Sequence, residues 1–240
     1  MPPQPNTPID SATTASTPWK DETTMNIAII GAGNVGKALA TTFARAGHTV
    51  IVASRDPEDA GTLAATTGAR IASTNAEAAS AGDVVILAVP FASVPDIAGE
   101  ITAAVAGKPV IDVTNRMSFG AGGPEIDTTS SNAEDLAALL PGAHVVKAFN
   151  TLFASNQGDP IKDGIQLDGF VAADDATAKA TVIELIASIG LEPVDVGPLA
   201  RARQLEGLAF LNITVNVANN GSWQSAWKLI GAPETVKVAA

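Results

Sequence analysis

One hexapeptide constrains this chain more than any other stretch. Gly31-Ala32-Gly33-Asn34-Val35-Gly36 stands directly after the apolar run 27–30 and directly before an Ala-rich stretch of helical character. G-x-G-x-x-G carries weight only in that strand-to-helix setting, where it builds a loop that holds a dinucleotide pyrophosphate. Gly31 permits the tight turn, Gly33 lets the pyrophosphate approach the backbone, and Gly36 lets helix and strand pack closely. The helix N-terminus adds free N–H groups and a partial positive charge.

The rest of the chain repeats the pattern that the hexapeptide implies. Short β-rich runs at 26–30, 49–53, 70–72, 84–88, 110–113, 145–149, 169–172 and 192–196 alternate with longer Ala-rich ones. The runs are apolar almost throughout, as strands are when helices cover both faces of a parallel sheet. Leu39, Thr42, Phe43 and Ala46 share one helical face that Gly47 ends. Val182, Leu185, Ile186 and Ile189 make another stripe, with Asp174 as the expected N-cap and Gly190 as the stop. Ser131 and Glu134 fit a capping box opening a helix over 132–140. Gly197-Pro198 then breaks the alternation, and 199–218 reads as helix, apolar on nearly every side but for Glu206, Asn212 and Asn216. The expected architecture is α/β: a doubly wound Rossmann-type, mostly parallel sheet over 25–197 with a small helical C-terminal domain over 198–240. Residues 1–24, rich in Pro, Thr and Ser, read as a flexible tail, with Trp19 as its one anchor.

Composition narrows the chemistry. The chain has no Cys, no Tyr and two His among its 240 residues. That excludes thiolate nucleophiles, Cys-ligated metals and clusters, Tyr–Lys proton donors and three-His metal sites, so no metal is expected. A net charge of -11 argues against nucleic acid and anionic membrane as partners. The N-terminus lacks a signal-peptide pattern, and no uncharged apolar run reaches the ~20 residues of a membrane span, so the expected location is cytoplasmic.

The end of the second strand selects the dinucleotide. An acidic residue there would bind the ribose hydroxyls of NAD; here the strand runs into Ser54-Arg55, a hydroxyl and a guanidinium that suit the 2′-phosphate of NADP. Asp56 sits near the acidic position, but it serves equally as the N-cap of a helix beginning at Pro57. Ligands of open α/β sheets lie beyond the strands' C-terminal ends. There Ala88, Val89 and Pro90 would line the nicotinamide ribose and ring, Asn115 and Arg116 would offer polar groups, and Asn150 and Thr151 would face them across the crevice. His48 and His144 fall at the opposite edge and read as structural. Arg201 and Arg203 are open to two readings, an anion-holding pair or a solvated helix face.

With these residues assembled, the chain resembles the NADPH-dependent coenzyme F420 reductases (F420-dependent NADP oxidoreductases). IIGAGNVGKALA, VIVASRD, ILAVPF, VVKAFNT and DVGPLARARQLEGLAF carry the likeness from Met25 to about Asn220. DVTN and SNAEDLAALLPGAHVVKAFN are similar as well to the NADPH oxidoreductase domain of transmembrane metalloreductases. The resemblance implies a homodimer in which NADP(H) faces a deazaflavin, with hydride passing directly between the two rings. Its NADP contacts map onto Gly31 to Gly36, Ser54, Arg55, Val89 and Pro90, with Ala88, Asn115 and Ala148 beside them. The acceptor pocket maps onto Asn150, Thr151, Leu152 and Ala154. The chain departs from archaeal members at Asp59, where they tend to be basic, and at Asn150-Thr151, where they tend to have His-Thr.

Hydride transfer between two bound heterocycles needs alignment and a dry gap more than an acid or a base. No acid–base residue is therefore expected; Asn115, Asn150 and Thr151 would orient the rings. Two alternatives stay open, an NADPH-dependent reductase of a flavin or other small acceptor, and a non-catalytic NADPH-binding module.

Overall fold

The computed structural model describes residues 24–231. The expected tail, apart from Thr24, lies outside the described residues. In chain order the first half holds β1 (Asn26–Ile30), α1 (Asn34–Arg45), β2 (Thr49–Ala53), α2 (Pro57–Thr67), β3 (Arg70–Ile71), α3 (Asn75–Ala81), β4 (Val84–Leu87), α4 (Val94–Ile101) and β5 (Pro109–Asp112). The second half holds β6 (Met117–Gly120), β7 (Gly123–Ile126), α5 (Asn132–Leu139), β8 (His144–Ala148), α6 (Ala154–Gln157), β9 (Ile161–Lys162), β10 (Ile165–Gln166), β11 (Asp168–Ala173), α7 (Ala176–Ser188), β12 (Glu192–Asp195) and α8 (Ala202–Ala218).

Eight strands form one sheet in the order β12-β11-β8-β5-β4-β1-β2-β3. Only β8 and β11 pair antiparallel within it. The chain builds outward from β1 through β2 and β3, then crosses β1 to lay down β4, β5 and β8 on its other side. That reversal beside β1 opens a crevice at the C-terminal ends of the strands, the place where such sheets bind ligands.

Strand alternation explains the layers. Successive residues point to opposite faces, so Ile27, Ile29, Val50, Val52, Val84 and Ile86 enter one core, which α1, α2 and α7 cover. Ala28, Ile30, Ile51, Ala53, Val85 and Leu87 enter the other, covered by α3, α4 and α5. The expected doubly wound, mostly parallel α/β sheet is therefore present, its strand ends displaced by a residue or so. A third cluster of Phe170, Ala172, Val194 and Leu205, with Leu208 and Trp227 packed on it, seats α8 on β11 and β12.

Local chemistry sets the element ends. Asp56 caps α2, accepting from the N–H groups of Glu58 (2.9 Å) and Asp59 (3.4 Å), with Pro57 at the first position. Ser131 caps α5 through the Glu134 N–H at 3.2 Å. The cap of α7 is Asp175, which accepts from the Ala178 N–H at 2.7 Å. Asp174, expected in that role, instead accepts from the Leu199 N–H at 2.9 Å and so pins the turn that leads to α8. Two hairpins escaped the sequence reading. β9 and β10 flank Asp163-Gly164, both at positive φ, an Asp-Gly turn of the kind that favours hairpins. β6 and β7 meet through Gly120 and Gly123, the latter at φ 112°.

Candidate active site

The cradle has the geometry its glycines require. Gly31 sits at φ 110°, and a Cβ there would lie 2.2 Å from the Ala88 carbonyl oxygen. At Gly36 a Cβ would lie 2.0 Å from the Gly31 carbonyl oxygen. Gly33 differs: a Cβ would meet no protein atom within 4 Å. The space over Gly33 is open, so its bareness serves whatever approaches from outside. No side chain caps α1, and no acidic residue occupies its first turn. The N–H groups at the helix start, over Asn34, Val35 and Gly36, therefore stay available to an anion. Ala88 and Val89, directly after β4, pack against these glycines, while Ala32 turns its methyl into the core.

Beside the cradle, Ser54 and Arg55 follow directly after β2. The Ser54 hydroxyl oxygen accepts from the Asp56 N–H at 3.2 Å. Asp56 Oδ1 accepts at the α2 cap, the capping role that the sequence also offers it. Arg55 is exposed and has no ion pair or hydrogen bond among the described residues. Most other described cations are engaged; Lys37, for instance, reaches Asp59 at 2.6 Å. Asp59 is thus paired within the protein.

Further along the same edge a cavity of about 350 Å³ opens between the ends of β5 and β8. Val35, Val113, Phe149, Leu152, Phe153, Ala209 and Ile213 give it apolar walls, and Asn115, Asn150, Thr151, Gln157 and Asn212 bring polar atoms. Phe153 and Trp223 close one side, their rings edge to face at 5.2 Å. Trp223 is held there because its carbonyl accepts from the Ser155 hydroxyl at 2.6 Å and its N–H donates to Asn216 Oδ1 at 3.1 Å. The chain leaves β8 through Phe149 at φ 63°, a left-handed conformation that costs a non-glycine residue about 1–3 kcal/mol. Asn150 follows at once. Its Nδ2 donates to Asn115 Oδ1 (2.9 Å) and to the Leu205 carbonyl (3.0 Å). Its Oδ1 is buried with no partner among the described residues, and the same holds for Gln157 Oε1. An acceptor left so costs about 1–3 kcal/mol.

Beneath these side chains lies a buried ionic cluster. Lys147, fully enclosed, reaches Asp112 and Glu206 at 2.8 Å each and donates to the Thr114 carbonyl. Asp112 also accepts from the N–H and hydroxyl of Thr114, at 2.9 and 2.7 Å. Glu206 also accepts from the N–H groups of Arg116 and Asn132, both at 2.9 Å. Burial pushes the Glu206 carboxyl above its ordinary pKa, with the Lys147 ammonium opposing the shift. The cluster fixes the ends of β5 and β8, the start of α5 and helix α8 relative to one another. It thereby positions both Asn115 and the Leu205 carbonyl that orients Asn150.

Several sequence-derived candidates take other roles. The Arg116 guanidinium is held by Asp127 at 3.2 Å and by Asp135, so it braces the β6–β7 hairpin against α5. Arg203 makes a two-pronged pair with Glu134, at 2.8 and 2.7 Å, and holds that carboxyl below its usual range. Neither arginine is free for an anion. Ala148 is wholly buried inside the sheet and has no surface to offer a cofactor. His48 accepts from the Met25 N–H at 3.3 Å and pairs with the Ser188 hydroxyl at 3.0 Å; His144 sits 3.6 Å from Asp175. Neither lines the cavity. Among the described residues no group of His, Cys, Asp and Glu could hold a metal ion.

Comparison with known proteins gives a consistent set of likenesses. The family model described as NADP oxidoreductase coenzyme F420-dependent matches residues 26–116. The F420-dependent NADP reductase of Methanothermobacter marburgensis is 35% identical over 212 residues, 81% of this chain and 94% of that protein. Metalloreductase STEAP3 of Rattus norvegicus is 32% identical over 186 residues, 76% of this chain but 36% of the rat protein, so the chain spans about a third of that relative. A crystal structure from Arthrobacter sp. FB24, provisionally named an F420-dependent NADP reductase, superposes with a TM-score of 0.78 at 30% identity, covering 85% of this chain and 99% of the other.

Proposed function

Since this chain belongs to the family of coenzyme F420-dependent NADP oxidoreductases, we propose that it transfers hydride between NADP(H) and a deazaflavin of the F420 type. The observation that carries the reading is the continuity of the two sites. Val35, in the first turn of the helix that closes the cradle, is also a wall of the 350 Å³ cavity. A dinucleotide whose phosphates lie on α1 thus has an apolar chamber beside it for a ring and its redox partner.

The residues fit such a pair. The bare backbone at Gly33 and the uncapped start of α1 accept a pyrophosphate. Ser54 and Arg55, the latter without a partner among the described residues, suit a 2′-phosphate, so NADP is preferred over NAD. The chemistry resides in the two cofactors: one supplies the hydride and the other accepts it. The protein's part is to bind, orient and keep dry. Asn115 and Asn150, locked to each other, present fixed dipoles, Thr151 adds a hydroxyl, and Val113, Phe149, Phe153 and Trp223 exclude water.

A cytoplasmic homodimer belongs to the same reading. Its support is the inverted character of α8, which turns Glu206, Asn212 and Asn216 inward and leaves Leu211 and Val215, one turn apart on the opposite face, about half exposed, an apolar face suited to a second copy. Among the described residues no helix is long and apolar enough to cross a membrane. A flavin acceptor is the second reading, favoured because apolar walls with a few amide groups suit any tricyclic ring with a polar edge. Mixing the protein with NADPH and F420, or with NADPH and FMN or FAD, and following the ring absorbance tests both. Turnover with F420 supports the first, turnover with free flavins alone supports the second, and no turnover with any of them refutes both.

A further inference from the structure

Resting on the reading that the cavity receives a redox ring, we infer that Asn150 and Gln157 form a hydrogen-bond-accepting wall that selects a neutral ring edge bearing N–H. Gln157 stands at the end of α6, fully buried, and lines the cavity.

The orientation of both amides follows from their neighbours. Both hydrogens of Asn150 Nδ2 are committed, to the oxygens of Asn115 and Leu205. Turning that amide over would set its oxygen against two acceptors, so Oδ1 is the atom left for a ligand. Gln157 Nε2 makes one donation, to the Phe149 carbonyl at 3.5 Å. Turning this amide over would set its oxygen against that carbonyl, so Oε1 is the atom left without a partner, while one Nε2 hydrogen stays uncommitted. These are the unpartnered buried atoms of the cavity wall; the other two such atoms, on Asn132 and Asn156, belong to residues that do not line it.

Charge defines the rest of the preference. None of the lining residues is ionisable, and Lys147 and Arg116 nearby are saturated by carboxylates. A carboxylate or phosphate would meet two carbonyl dipoles and no cation. A neutral amide-type or imide-type N–H finds acceptors that lack a donor. The strained Phe149 contributes directly, since its carbonyl orients Gln157 and its turn delivers Asn150. Two groups of this chemistry belong to the proposed reaction: the imide N–H of the tricyclic acceptor and the carboxamide of nicotinamide.

The test measures affinities of the intact protein for two ligand pairs. One pair is 8-hydroxy-5-deazariboflavin and its N3-methyl derivative, titrated onto protein saturated with NADP+. The other is NADPH and its 3-acetylpyridine analogue, which keeps the carbonyl and lacks the N–H2. Each is repeated on Gln157→Met, which keeps the chain length and removes the acceptor. Wild type should prefer the N–H-bearing member of one pair by about tenfold or more, and Gln157→Met should shrink that preference by about tenfold. Discrimination in the deazaflavin pair assigns the wall to the acceptor; discrimination in the nicotinamide pair alone assigns it to the carboxamide. Equal wild-type affinities within both pairs, or a preference unchanged in Gln157→Met, overturn the inference while the proposed function stands. Should Gln157→Met not fold, the wild-type pairs decide alone. Failure of the parent deazaflavin and of NADPH to bind at all overturns both.

Discussion

Replacing Lys147 with methionine should be among the most damaging single changes in this protein. The substitution keeps the length and most of the volume of the side chain and removes only the charge. Lys147 is fully buried and contacts Asp112 and Glu206 at 2.8 Å each. Without the ammonium two enclosed carboxylates face one another uncompensated, and breaking a buried pair in this way costs about 3–5 kcal/mol. For a domain of this size that corresponds to a fall in Tm of about 6–20 °C. The variant should also respond to pH. Burial already holds the Glu206 carboxyl above its ordinary value of 4.5, and Lys147 is the main influence pulling it down. Where a folded-state pKa is raised, the folded protein binds more protons than the unfolded one between the two values. Stability from this source is complete below the ordinary value and is lost as pH rises through the folded one. Loss of Lys147 raises the folded value further, so the variant should regain part of its deficit as pH is lowered from about 8 to about 5, more than wild type does. Urea denaturation across that range measures both effects. A variant within about 1 kcal/mol of wild type and with the same pH dependence would refute the argument that the cluster holds the site together.

Three further outcomes follow from the geometry. Gly33→Ala should fold normally, because φ there is -73° and a Cβ meets no protein atom, yet weaken NADPH binding about tenfold or more by blocking the pyrophosphate; normal NADPH affinity in this variant would dismiss the cradle. Arg55→Ala should raise the KM for NADPH about 10- to 100-fold, the worth of a charge-assisted contact, and leave that for NADH nearly unchanged; equal effects on both would remove the 2′-phosphate assignment. Val215→Glu, on the exposed stripe of α8, should convert a dimer to a monomer in light scattering; an unchanged mass would move the interface elsewhere.

Much of this arrangement was written into local sequence. The spacing of Gly31, Gly33 and Gly36 requires a strand before and a helix after, and each predicted core strand occurs within a residue or so because its pattern is apolar on both faces. What local sequence lacked was partnership across the chain. Asp174 and Asp175 are equally good caps in isolation; only the contact between Asp174 and the Leu199 N–H decides between them. Arg116 and Arg203 look free until Asp127, Asp135 and Glu134 fold against them. The buried cluster did leave a trace, a lysine inside the apolar strand VVKAF and a glutamate inside the apolar helix LEGLAF. Two misplaced charges of opposite sign are each other's natural partners, here at a separation of 59 residues. Gln157 left none, because its role comes from an orphaned oxygen that exists only once β8, α6 and the Phe149 carbonyl meet. The hairpin β6–β7 was hidden by the glycines that turn it, which lower the strand character of the whole stretch.

The central claim is that this protein aligns two rings for direct hydride transfer and supplies no acid or base of its own. NADPH carrying deuterium at the transferred position of C4 tests it most directly, with F420 as acceptor and the product read by mass spectrometry and NMR. Direct transfer places the deuterium on C5 of the deazaflavin, without exchange with solvent. Deuterium lost to water, or an F420 pool left untouched by the labelled NADPH, would contradict it.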